Sequence, residues 1–104
     1  MRAVITYTVS VRAQPGKRDE LLEVFRELAG SAESEPGTLL YTFHTVDDDP
    51  DVIVTFEVFR DEAALKAHQR ADVLSTVGPK LGPLIASSEM TRGTPAFGKG
   101  LPAG

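Results

Sequence analysis

Three side chains in this sequence stand out as candidates for acid–base chemistry. The 104 residues include two histidines, His44 and His68. Glu57 places a carboxylate in the middle of a stretch that is otherwise apolar and β-branched. Burying such a charge is costly without a partner, so it indicates either an ion pair or a site that uses the carboxylate. Imidazole and a desolvated carboxylate both suit general acid–base catalysis near neutral pH.

Each of these residues has a structural alternative to weigh. His44 lies in a strand and is more typical of a residue at a sheet or subunit interface. Glu57 could pair with an Arg or a Lys, or face water at a sheet edge. The functional hypothesis places Glu57 beside a cavity under the second helix, with His68 across it. Proton transfer is the chemistry that such a pair would support.

Composition and motifs exclude several other classes. Cysteine is absent, which removes thiol nucleophiles and disulfides. The acidic run at 47–51 lacks the further ligands of a calcium loop, and no G-x-S-x-G, G-x-G-x-x-G or P-loop motif occurs. We therefore predict no metal site and no nucleotide cofactor. Eleven basic against fifteen acidic residues argue against nucleic-acid binding. The start alternates polar and apolar residues, and no apolar run spans a membrane, so we expect a cytoplasmic protein.

The hydrophobic periods predict the order βαββαβ. Strands are predicted at 4–11, 38–46, 52–59 and 85–92, with an acidic turn at 47–51. The first helix begins at Lys17 and ends before Pro36-Gly37, and Asp61 is expected to cap a second helix over 62–70. Short helical turns are expected over 72–84, broken by Gly78-Pro79 and by Gly82-Pro83. This order predicts an α+β fold, the ferredoxin-like plait with an antiparallel sheet.

A simple hairpin between the second and third strands predicts the neighbours of the key residues. Val46 would then face Val52, Tyr41 would face Glu57, and Leu39 would face Phe59. The third strand is apolar on both sides, whereas two helices cover only one face of a sheet. We therefore expect a homodimer through the sheet face, burying Val54 and Phe56.

Four short motifs, in this order, resemble the antibiotic biosynthesis monooxygenase-like domains of the dimeric α+β barrel superfamily. They are Pro15-Gly16-Lys17, Glu35-Pro36-Gly37-x-Leu39-x-Tyr41, Glu57-Val58-Phe59 and Asp61-Glu62-Ala63-Ala64-Leu65-Lys66-Ala67-His68. The spacing from Phe59 to His68 is similar to that of the quinol-monooxygenase-like branch. The resemblance covers roughly residues 3–92, so a domain at 1–92 and a Gly/Pro-rich tail at 93–104 are expected.

The resemblance implies a homodimer that oxygenates a small phenol or quinol with O₂ and without a cofactor. His68 and Glu57 would be the catalytic residues, and Tyr41, Thr55 and Phe59 would bind the substrate. Phe59 stands where many members carry Trp, and Thr55 where some carry Asn. The haem-degrading branch depends on such residues and is therefore disfavoured. A keto–enol isomerase and a non-catalytic ligand-binding or dimerisation module are the alternatives.

Overall fold

Four antiparallel strands form a single sheet with the helices packed on one of its faces. A computed structural model describes residues 4–101, and the sheet order is β2-β3-β1-β4. The elements are β1 (Ile5–Ala13), α1 (Arg18–Ala32), β2 (Thr38–Val46), β3 (Asp49–Phe59), α2 (Glu62–Gln69), α3 (Val73–Leu81), a 3₁₀ turn (Gly82–Leu84) and β4 (Ile85–Gly93). This is the predicted α+β ferredoxin-like fold. Within residues 4–101, no helix is long and apolar enough to cross a membrane.

The core forms between α1, α3 and the inner face of the sheet. The 3.6-residue period of α1 buries Leu21, Phe25 and Leu28 on one side of the helix. These side chains pack in one cluster with Val11 of β1 and with others from the sheet and α3. Alternation along β1 therefore places its apolar side chains toward the helices, as the period-2 pattern predicts.

The β2–β3 hairpin confirms one predicted pair and corrects two. Tyr41 is opposite Glu57, as expected. However, the pairing shifts at both ends, so that Thr38 and not Leu39 is opposite Phe59, and Val46 pairs with Asp49 and not with Val52.

The acidic turn is shorter than predicted, because β3 already begins at Asp49. The Asp49 carboxylate lies 2.8 Å from the guanidinium of Arg12 on neighbouring β1. It also accepts a hydrogen bond of 3.1 Å from the backbone N–H of Asp51. These contacts draw part of the acidic run into the strand, which a local pattern does not reveal.

The prediction of short broken turns over 72–84 is wrong for its first part. Residues 73–81 form one helix, α3, with Pro79 inside it. Proline removes one helical hydrogen bond, but the side chain of Val77 is fully buried in the core cluster. Tertiary packing therefore outweighs the local break, and only the 3₁₀ turn beyond it follows the prediction.

Gly37 sets how closely α2 can approach the start of β2. A Cβ built at Gly37 would lie 2.3 Å from the Cβ of Ala64 on α2. We expect Gly37→Ala to push α2 outward and to destabilise the fold by about 1–3 kcal/mol. Thermal unfolding measures this as a lower Tm. Gly30→Ala is the control, since a Cβ meets nothing within 4 Å there and alanine favours the helix. An unchanged Tm in Gly37→Ala would contradict the expectation.

The segment after β4 has no helix or strand in the part that the structure describes, residues 94–101. Phe97 is 94% exposed, so it adds nothing to the core of this chain. The predicted tail also includes residues 102–104, which lie outside the described residues. We expect truncation after Gly93 to leave the Tm nearly unchanged. A large fall in the Tm would show instead that Phe97 or Leu101 docks on a partner subunit.

Candidate functional site

A cavity of about 320 Å³ lies between the sheet and the helices α2 and α3. His68, Glu57 and Thr55 lie together and form its polar end, and most of the other lining residues are apolar or aromatic. The lining residues are Tyr7, Val9, Val11, Phe25, Tyr41, Phe43, Thr55, Glu57, Leu65, His68, Gln69, Leu74, Ile85, Ser88 and Met90. This size is at the lower end of the range for small-molecule sites.

Helix α2 carries His68 to the cavity wall. The Asp61 side chain caps the helix by accepting a 2.9 Å hydrogen bond from the backbone N–H of Ala64, as predicted. Ala64 and Leu65 are buried beneath the helix, and His68 follows one turn after them on the same side. Its ring lies edge-on to Tyr41, with centroids 4.9 Å apart. The capped and anchored helix therefore fixes the imidazole in the cavity.

A third acid–base residue at the site, Glu35, was not predicted from the sequence. Its Oε1 lies 2.8 Å from Nδ1 of His68 and also accepts a 2.7 Å hydrogen bond from the Thr38 hydroxyl. An ionised carboxylate can only accept, so Nδ1–H donates to Glu35, and in neutral His68 the lone pair is then on Nε2. Glu35 is 33 residues from His68 in the chain. Its only signal was a place in the Glu35-Pro36-Gly37 motif.

Glu57 lies on the inner face of β3, facing the free nitrogen of His68. Its Oε1 is 3.9 Å from Nε2 of His68, and its Oε2 accepts a 3.0 Å hydrogen bond from the Thr55 hydroxyl. Burial raises the pKa of the Glu57 carboxyl, while the Thr55 hydrogen bond and the nearby His68 oppose that rise. One ligand oxygen could lie about 2.8 Å from both Nε2 and Oε1, since those atoms are too far apart to bond each other.

Tyr41 adds a phenol to the polar end. Burial raises the pKa of its hydroxyl strongly, and the Glu57 and Glu35 carboxylates raise it further. Tyr41 therefore stays protonated at neutral pH and can donate a hydrogen bond. A nearby ring, Phe43, packs against it with centroids 4.8 Å apart.

A search among known proteins identifies the family. The model of the family described as "Antibiotic biosynthesis monooxygenase" matches residues 4–76. The chain belongs to this family. The match covers the first three strands, α1 and α2, and so includes all three residues of the Glu35–His68–Glu57 cluster.

Solved structures share the fold over nearly the whole chain. A Chloroflexus aurantiacus protein assigned to the antibiotic biosynthesis monooxygenases is 30% identical, with a TM-score of 0.81 over 94% of this chain and 98% of that one. PA3566 from Pseudomonas aeruginosa is 24% identical, with a TM-score of 0.86 over 93% and 98% of the two chains. An uncharacterized Synechocystis protein, sll1783, is 29% identical over 59 residues. The matched segment is 57% of this chain and 40% of that relative's length.

Four of the five residues predicted to form the site lie together in the wall of one cavity. His68, Glu57, Tyr41 and Thr55 all line it. Phe59 does not, which corrects its predicted place: it is fully buried behind the imidazole, with ring centroids 5.0 Å apart. Phe59 ends β3 inside the core, so it supports His68 from behind and does not touch the cavity space.

His44 lies on the opposite face of the sheet, away from the cavity. Its Nε2 is 2.8 Å from the Thr42 hydroxyl, and its ring lies edge-on to Phe56, with centroids 4.9 Å apart. This agrees with the sheet-face interpretation of His44. Across residues 4–101, no three His, Asp or Glu side chains are arranged to hold a metal ion.

The buried Glu57 carboxylate should cost the fold stability at neutral pH. Its folded-state pKa is raised, so the folded state binds this proton more tightly than the unfolded chain does. The contribution of Glu57 to the free energy of unfolding is therefore fully present below the ordinary glutamate pKa of about 4.3 and is lost as pH rises through the raised folded-state pKa. We expect Glu57→Gln to raise the Tm by a few degrees at pH 7. In a domain of this size, a change of about 1 kcal/mol in the free energy of unfolding shifts the Tm by roughly 4–8 °C.

Thermal unfolding of both proteins at neutral and acidic pH checks this expectation. The gain in Tm should vanish at pH ~3.5, where Glu57 of the wild-type protein is protonated in both the folded and the unfolded state. Glu23→Gln is the control, because Glu23 is exposed on α1 and its loss should change the Tm little. A lower Tm in Glu57→Gln at pH 7 would show instead that Glu57 holds a stabilising ion pair.

Proposed function

We propose that this protein is a cofactor-independent monooxygenase of a small phenol or quinol, as in the quinol-monooxygenase-like branch. The observation that carries the proposal is the His68 imidazole, backed by Glu35 at 2.8 Å and facing Glu57 in a cavity that is otherwise mostly apolar. An aromatic ring fits such walls, and its hydroxyl fits the polar end. Family membership supports oxygenation as the reaction class.

The first step is removal of a proton from the substrate hydroxyl. Nε2 of His68 accepts this proton, and the imidazolium that forms is stabilised by the Glu35 carboxylate at Nδ1. Glu57 holds the reacting oxygen near Nε2, or accepts the proton of a second hydroxyl, for which its raised pKa is suited. Tyr41 and Thr55 orient the ring and the carboxylate.

The second step uses the electron-rich anion that results. It passes one electron to O₂, and the two radicals combine at a ring carbon to give a hydroperoxide. Loss of water leaves a carbonyl, so hydroquinone and O₂ become hydroxybenzoquinone and water. One oxygen atom enters the product, the other leaves as water, and all four electrons come from the ring. The aromatic walls shield the anion from bulk water.

Oxygen uptake tests the proposal. A set of small hydroquinones and naphthols is mixed with the protein and ¹⁸O₂ in the presence of a chelator, and the products are analysed by mass spectrometry. One ¹⁸O atom in the organic product supports the proposal. Isomerisation without oxygen uptake would instead support the keto–enol isomerase. Binding without any turnover would support the ligand-binding module.

We also propose that the protein acts as a homodimer through the outer face of the sheet. On this face Phe56, in the middle of β3, and Leu40, on the edge strand β2, are each 41% exposed in the single chain. Val52 and Val58 of the same row are already buried, so the exposed apolar area is narrower than the sequence suggested. Covering it needs a second sheet or a partner of similar shape.

A cytoplasmic location stays a prediction, which cell fractionation would test.

A further inference from the structure

The charges around the cavity are unbalanced. Glu57 and His68 are the ionisable acid and base among its lining residues, and neither Lys nor Arg lines it within the described chain. Glu35 adds a second carboxylate directly behind the imidazole. All three side chains are about 15% exposed, so water screens their charges weakly. With both carboxylates ionised, the cluster keeps a negative charge even when the imidazole is protonated.

Two arginines near the cavity, Arg92 and Arg60, already have acidic partners, and Arg70, which follows α2, is exposed and does not line the cavity. Arg92 on β4 pairs with Glu62 at the start of α2 and also hydrogen-bonds Tyr7, but it does not line the cavity itself. Arg60, just before α2, lies 3.7 Å from Asp61. Both side chains are about half exposed, so they are screened by water as well.

The aromatic walls suit an uncharged aromatic ligand. Phe25 stacks on Phe43 with centroids 5.0 Å apart, and Tyr41 lies 4.8 Å from Phe43 in a tilted arrangement. Tyr7 lines the cavity as well. These walls offer no cation to an acidic ligand, so the two carboxylates set the preference for ligand charge.

We infer that the cavity accepts neutral or amino-substituted phenols and quinols and rejects those that carry a carboxylate, sulfonate or phosphate group. This deepens the proposed function by naming the charge class of its substrate, and it rests on this cavity being the substrate site. The reaction itself produces an anion, but that anion forms together with the protonated His68. A ligand that is acidic from the start brings a charge with no cation in the cavity to balance it.

Three hydroquinones of similar size test this inference: methylhydroquinone, aminomethylhydroquinone and the carboxylate gentisate. Their dissociation constants are measured by NMR titration under argon, so that no turnover is needed. We expect gentisate to bind about tenfold or more weakly than methylhydroquinone, and aminomethylhydroquinone at least as tightly as the neutral ligand, as expected for charges about 5 Å apart in a partly buried site.

Two variants connect the effect to the cavity. Glu57→Gln removes one carboxylate with little change of shape and should narrow the gap between gentisate and methylhydroquinone. Glu23→Gln makes the same change of net charge on the exposed side of α1 and should leave the gap unchanged. The inference is overturned if gentisate binds as tightly as the neutral ligand, if none of the three binds, or if both variants act alike. If the three ligands bind in the expected order but no oxygen is taken up, the result would count against the proposed reaction and not against this inference.

Discussion

His68→Ala should lower the turnover of a quinol by about 10²-fold or more while the protein folds normally. The Nε2 atom of the imidazole faces Glu57, and its Nδ1 atom is hydrogen-bonded to the Glu35 carboxylate. Removing it leaves the reacting hydroxyl without its base, and general acid–base groups usually contribute on this scale. Initial rates of oxygen uptake measure the loss, and circular dichroism checks the fold.

The other histidine supplies the control for this experiment. His44 lies on the opposite face of the sheet and is exposed, so His44→Ala should keep most of the turnover. Glu35→Gln gives an intermediate test, because it keeps the size of the side chain and removes the charge that stabilises the imidazolium. Full activity in His68→Ala would exclude His68 as the base and leave Glu57 to be tested in that role.

Phe56→Asp should convert the proposed dimer into a monomer. Phe56 is exposed at the centre of the outer sheet face, between Thr8 and Thr42 on the neighbouring strands. A dimer through this face would bury about 1,200 Å² or more, and an unpaired carboxylate at its centre would be strongly unfavourable. Light scattering at micromolar concentration measures the mass of both proteins.

Thr76→Asp is the matched control for the dimer, because it adds the same charge on the exposed side of α3. Its mass should equal that of the wild-type protein. A wild-type monomer at micromolar concentration would refute the dimer outright. A dimer that survives Phe56→Asp would place the interface elsewhere on the molecule.

Short-range patterns in the sequence predicted the order of the four strands and of α1 and α2, and the central pair of the hairpin. Period-2 alternation in β1 and the 3.6-residue period in α1 are repeated many times, so each element is specified by several residues. The Tyr41–Glu57 pair was predicted from a simple hairpin, and alternation adds only the face on which each side chain lies. Local rules failed where distant residues decide: Arg12 draws Asp49 into β3, and the buried Val77 keeps α3 continuous through Pro79.

For the site, the sequence supported the hypothesis that Glu57 and His68 face each other across a cavity. A carboxylate in an apolar strand needs a reason, and a helix starting at Asp61 returns over that strand. Only the tertiary structure decided that Glu35 completes the cluster and that Phe59 lies behind it. Glu35 precedes a turn, where a charged residue is ordinary, and its partner is 33 residues away. The close packing of Gly37 on Ala64 brings the two together, and such a contact between distant segments has no periodic signal in the chain.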